Sequence, residues 1–217
     1  MRVLSPLLLM LAWLPASAGS ESAWQTQKER DGVQISTRAV EGWSIHEIRG
    51  VERIPARLST VAAVLCDIDA STAINDLIVE AKVVQRDNDT RYRFYTAMKM
   101  PWPVSDRDLV NQRQITQDPA SLAVTFDDQA VPEAAPPRKG YVRMEKSHQL
   151  WILTPANGEV LVEMRALSDP NGPIPAVIVN AMAVDAPIKS LVRLRELAAS
   201  PKYAQAKLPF IKEPEPH

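Results

Sequence analysis

The feature that most constrains this chain is the stretch Gly172 to Ser200, GPIPAVIVNAMAVDAPIKSLVRLRELAAS, which carries a helical period while most of the chain before it carries strand-like patterns. Val177, Ala181, Val184, Ile188, Leu191 and Leu194 recur at spacings of three and four and share one face, with Asn180, Lys189, Arg193 and Glu196 largely on the other. Asn171-Gly172 supplies a turn ahead of it. Pro175 sits where a first-turn proline is tolerated, because its missing N–H would be unpaired there in any case. Pro187 removes one intrahelical hydrogen bond and predicts a kink near Val184, and Pro201 ends the helix. A bent apolar rod of this kind can lie across a curved sheet.

At the other end, residues 1–18 carry Arg2, an apolar run and then Ala16-Ser17-Ala18, the order of a secretory signal with a small-residue cleavage site. The reading is an exported protein, periplasmic or secreted, soluble and beginning near Gly19, since the apolar run is short of the ~20 residues a spanning helix needs. The remaining length is enough for one domain, 19–200, with residues 201–217 as a proline- and charge-rich tail expected to be poorly ordered from Pro209. Twenty-five basic against 26 acidic residues exclude the strongly basic face of a nucleic-acid binder. A single cysteine, Cys66, excludes an intramolecular disulfide framework and suggests a small buried hydrophobe. Eighteen prolines against seven glycines leave little material for a glycine-rich phosphate cradle.

Between these ends the pattern is mostly of strands. Ser22 to Lys28 is expected as a short helix, then Asp31-Gly32 opens strands at Val33 to Val40 and Ser44 to Arg53. Pro55 precedes a helix carrying Leu58, Val61, Ala62 and Leu65, with a shorter one at Ser71 to Leu77. Val79 to Arg86, Arg91 to Lys99, Arg107 to Thr116 and Leu122 to Asp128 come next at meander spacing. A proline-rich loop, Pro132 to Lys139, precedes Tyr141 to Leu153 and Glu159 to Leu167, a hairpin joined by Asn157-Gly158.

Two motifs narrow the reading. Met100-Pro101-Trp102-Pro103-Val104-Ser105-Asp106-Arg107-Asp108-Leu109-Val110, and Asp169-Pro170-Asn171-Gly172-Pro173-Ile174-Pro175 leading into the last helix, resemble the START family of lipid-transfer domains. Trp24 ahead of Asp31-Gly32-Val33 is similar to that family's opening, and the likeness runs from about Trp24 to Ala199. The resemblance implies an α+β helix-grip fold, START/Bet v 1-like, in which a curved antiparallel sheet wraps a long C-terminal helix around a lipid-sized tunnel.

Strand alternation places Tyr92, Phe94, Thr96 and Met98 on one side, taken as inward, and Arg91, Arg93 and Lys99 on the other. For the next strand alternation leaves the face open; the resemblance implies that Arg107 and Arg113, and with them Leu109 and Asn111, point inward. It likewise implies that Glu145, Ser147, Gln149 and Trp151 do so, while Val177, Ala181, Val184 and Ile188 supply the helix side. An inward guanidinium keeps its proton and needs an acid or an anionic ligand. In the family's steroid carriers a carboxylate on the neighbouring strand fills that place; the matching position here is near Phe94. Glu145, Glu163 or an anionic headgroup is left as the partner of Arg113, whereas Arg107, beside Asp106 and Asp108, can be satisfied locally. The positions that resemble the family's choline cage are Thr96, Leu109 and Ser147, none aromatic, which favours an uncharged or anionic ligand over a choline lipid.

The expected function is therefore binding of a lipid or sterol-like molecule, without cofactor or metal, by a monomer that touches membranes transiently. The last helix and the Pro132 to Lys139 loop are its candidate lids. The competing class is a cyclase- or hydrolase-like enzyme on the same fold, with Glu145 and Arg113 as its acid–base groups. The sequence holds no G-x-S-x-G and no H-E-x-x-H, and its three histidines are too few for a histidine cage.

Overall fold

The computed structural model describes residues 22–172, 174, 179 and 183–215; the expected signal segment, Pro175, Val177 and Ala181 lie outside them. Among the described residues the chain opens with β1 (Gln25–Arg30), β2 (Val33–Ala39) and β3 (His46–Ile54), followed by α1 (Leu58–Cys66) and the short α2 (Ser71–Ile74). Next come β4 (Ile78–Arg86), β5 (Arg91–Met98), β6 (Asp106–Gln117), β7 (Val124–Ala130), β8 (Tyr141–Arg143), β9 (Lys146–Ala156) and β10 (Glu159–Asp169), and last α3 (Asp185–Ala198). They form one ten-stranded curved sheet in the order β1-β2-β3-β10-β9-β7-β6-β5-β4, antiparallel throughout except that β8 runs parallel to β6.

Two tight turns explain much of the pairing. Asp31 and Gly32 both take positive φ, 56° and 81°, so the chain reverses in two residues and Arg30 pairs with Val33. A turn of that hand matches the twist of two strands, which is why Gln25–Arg30 is a strand and not the expected short helix. Asn157 and Gly158, at 51° and 84°, close the β9–β10 hairpin in the same way. The single strand expected over Tyr141 to Leu153 is two, because β8 leaves the β9 line to pair with β6 and Met144 N–H donates to the Asp108 carbonyl at 2.9 Å.

The main core lies on the concave face, where Val33, Ile35, Ile54, Val124, Phe126, Leu153, Val160, Val162 and Met164 pack with α1 and with Ile188, Leu191 and Leu194 of α3. Gly50 lets α3 approach: a Cβ there would stand 2.6 Å from Leu191 Cδ1 and 3.1 Å from Ile35 Cδ1. A break falls near Val184, where the kink is expected: Val179 is helical, Ala183 and Val184 form a turn, and α3 starts at Asp185. Its cause is corrected, because Pro187 falls in the first turn of α3, where no intrahelical bond is lost.

The loop over Pro132 to Lys139 is no lid of the concave face. Val131, Ala134, Ala135 and Tyr141 pack on Tyr95, Ala97 and Val110, which alternate with the inward residues and so lie on the convex side. Arg143 fastens this cover: Nε and Nη2 donate to Asp108 at 2.8 and 3.0 Å, and its other N–H groups reach the carbonyls of Pro132, Ala135 and Pro136. The stretch expected to be poorly ordered is also fastened. Tyr203 and Ile211 are buried in the core, and Glu213 accepts from the N–H groups of Leu58 and Ser59 at 3.2 and 2.8 Å. Glu213 thereby caps α1, whose own N-cap residue, Arg57, gives no side-chain bond.

Candidate functional site

Register defines the concave surface residue by residue. Met98, Thr96, Phe94 and Tyr92 of β5 stand opposite Arg107, Leu109, Asn111 and Arg113 of β6. Asn111 and Arg113 oppose Ala130 and Asp128 of β7, and Asp128 and Phe126 oppose Gln149 and Trp151 of β9. Gln149 and Trp151 in turn face Ala166 and Met164 of β10. The surface has two characters. One end is the apolar core under α1 and α3; the other carries small and polar side chains, Thr96, Asn111, Ala130, Ser147, Gln149, Ala166 and Ser168, several of them only half-buried.

Between the two ends lies a buried ion pair. Arg113 Nε and Nη2 donate to the two carboxylate oxygens of Asp128 at 2.7 and 2.6 Å, with the side chains 5% and 1% exposed. Arg113 Nη1 also donates to the Leu65 carbonyl in the last turn of α1 and, at 3.4 Å, to the Tyr92 hydroxyl. Its guanidinium stands over the Phe94 and Phe126 rings at 5.0 and 5.2 Å. Burial alone would push this cation toward losing its proton, but Asp128 outweighs burial and shifts it upward. The neighbouring Cys66 thiol is pushed up to about 11, chiefly by burial, against the pull of Arg113 and Arg86. Arg107 is buried by another route. Nε and Nη2 donate to the carbonyls of Pro170 and Asn171 at 3.1 and 2.9 Å and Nη1 to that of Ser105, so it ties the turn after β10 to β6. Burial lowers its pKa, with Asp106 opposing.

At the small-residue end of this face one buried polar atom lacks a match among the described residues. Asn111 is 4% exposed, and its Oδ1 has no hydrogen-bond partner among the described residues. Ser147 and Ser168, by contrast, bond each other at 2.7 Å.

The family model of the START domain matches residues 34–198. The chain belongs to the START family. A START-type structure, the STAR-related lipid transfer protein of Xanthomonas axonopodis, is 30% identical with a TM-score of 0.76, covering 82% of this chain and 99% of that one. Human STARD10, 22% identical with a TM-score of 0.71 over 81% of this chain and 72% of that one, shares the fold. An uncharacterized protein of Pseudomonas aeruginosa is 31% identical over 176 residues, 81% of this chain and 86% of its own length.

Within this START domain, Tyr92, Phe94, Thr96, Arg107, Leu109, Asn111, Arg113 and Trp151 are buried and share the concave side, with Gln149 half-buried beside them. Ile188 is buried against that side from α3, and Val184 packs on the same core. Glu145 is a correction: it is exposed between β8 and β9, because the break between those strands removes it from the alternation that would turn it inward. It pairs with no described arginine, and the acid–base couple of Glu145 and Arg113 is not assembled. Glu163 bonds Arg49 at 2.5 Å and not Arg113. The true partner, Asp128, escapes the sequence reading, although Val124, Phe126 and Asp128 at alternate positions of one strand carry the signal: two apolar residues and an acid on one face. Trp102, which lies in the first of the two motifs, is 93% exposed.

Proposed function

We propose that this protein binds a lipid or another hydrophobic small molecule at the small-residue end of its concave sheet, and passes it between membranes without catalysing a reaction. The observation that carries this is the uneven concave face. Apolar packing under α1 and α3 fills one end, while Thr96, Leu109, Asn111, Gln149 and Ala166 form a second end whose buried amide has no partner for its oxygen among the described residues. Sites that take hydrophobic small molecules are concave, mostly apolar and furnished with a few polar groups that fix orientation. Family membership and a relative named as a lipid transfer protein support the same reading.

Other parts of the proposal rest on the sequence. Residues 1–18 suit an export signal, which would place the carrier in the periplasm or outside the cell. No helix among the described residues is long and apolar enough to cross a membrane. Trp102 at the β5–β6 turn suits transient contact with a bilayer surface, since its ring is apolar and its N–H polar. We take the carrier to be a monomer. Fluorescent-lipid transfer between donor and acceptor vesicles tests the proposal: protein added at catalytic amounts should raise the rate, and a rate equal to the protein-free control would refute transfer.

A further inference from the structure

Resting on the proposal that the concave face holds a lipid, we infer that this lipid is a neutral amphiphile bearing a hydroxyl, and that the Asn111 amide is the group that receives it. The two arginines of β6 are already engaged. Arg113 meets Asp128 through both carboxylate oxygens and gives a further N–H to α1, so the pair presents no net charge to a guest. Arg107 is spent on three backbone carbonyls, and along β6 it lies four residues from Asn111, about 13 Å at strand rise. An anionic headgroup at the Asn111 position would have the Asp128 carboxylate diagonal to it across the β6–β7 ladder.

What the position offers is a lone buried acceptor. An unmatched polar atom at this depth keeps the cost of its lost hydration, and a partner brought by the guest offsets it. A hydroxyl suits either edge of the amide, donating to the oxygen or accepting from the nitrogen. The surroundings suit a hydroxyl on a hydrocarbon body: Phe94 and Ala130 flank Asn111 across the ladders, and Leu109 stands two residues along β6. Gln149, half-buried and diagonal across β7, offers a second polar contact on the same face.

The test uses delipidated full-length protein loaded with Nile red, displaced by three compounds of one chain length: 1-octadecanol, its methyl ether and stearate. The parent should prefer the alcohol over both others by about tenfold, the equivalent of one good hydrogen bond. Asn111→Leu should lower alcohol affinity by about that factor and leave the ether within about twofold. Equal affinities for alcohol and ether in the parent, preference for stearate, or an Asn111→Leu variant that weakens all three alike would overturn the inference while leaving lipid binding standing. The parental ranking needs no variant, so it decides even where Asn111→Leu fails to fold. Failure of the parent to bind Nile red and any of the three would remove the proposed function, and this inference with it.

Discussion

Asp128 and Arg113 make each other tolerable in the interior, and this sets the expectation for their variants. Asp128→Asn leaves a buried guanidinium without its counter-charge and should cost about 3–5 kcal/mol, read from urea denaturation midpoints. The double replacement Arg113→Met with Asp128→Leu should cost far less than the sum of the single ones, since the strain is in the unpaired charge. Equal, additive losses would show that the pair contributes nothing as a pair. Cys66 belongs to the same neighbourhood: with its thiol held near about 11 by burial, native protein at about pH 8 should react with iodoacetamide well below the rate of the unfolded chain. At this scale the inward arginine was legible only through the family resemblance, since alternation left the face of its strand open. Its partner was not, because alternation tells which face a residue takes and not which strand will lie alongside.

The elements that hold α3 make predictions of their own. Gly50→Ala drives a methyl against Leu191 and should cost about 1–3 kcal/mol, as overpacked core sites do. Glu52 of β3 is 1% exposed and pairs with Arg195 of α3, while its second oxygen has no partner among the described residues. Burial, opposed by Arg195, raises its pKa from 4.5 to about 7. The folded state thus holds this proton more tightly than the unfolded chain. The resulting stability is full below about 4.5, lost as pH rises through about 7, and on the order of 3 kcal/mol. Asp67, Glu163 and Asp185 have lowered values and lose their contributions only in stronger acid, so the window from about 5 to about 7 belongs to Glu52 among these shifted carboxylates. Denaturation midpoints should therefore fall from about pH 5 to about pH 8 in the parent and stay flatter in Glu52→Gln; parallel curves would contradict this. Glu213→Ala should lower stability by about 1 kcal/mol through the loss of the α1 cap, measured by thermal unfolding. The helix and most strands were legible from period and turns. The tail was not, because its proline-rich composition hides the two residues, Tyr203 and Ile211, that bury it.

For the whole molecule, two short motifs in a matching order of strands and helices carried the family resemblance, and it was the resemblance that implied the helix-grip architecture. The character of the binding surface was less accessible. Which end of the concave face is packed solid and which is lined by small side chains depends on where α1 and α3 land on the curved sheet, and no local pattern encodes that. The β8–β9 break had the same cause: a three-residue strand recruited by β6 looks in sequence like the start of a longer one. The most direct test of the central claim is mass spectrometry of organic extracts from protein purified without detergent. The account predicts close to one equivalent of a neutral, hydroxyl-bearing amphiphile per chain. Protein that yields no such molecule, and takes none up when offered vesicles containing one, would contradict it.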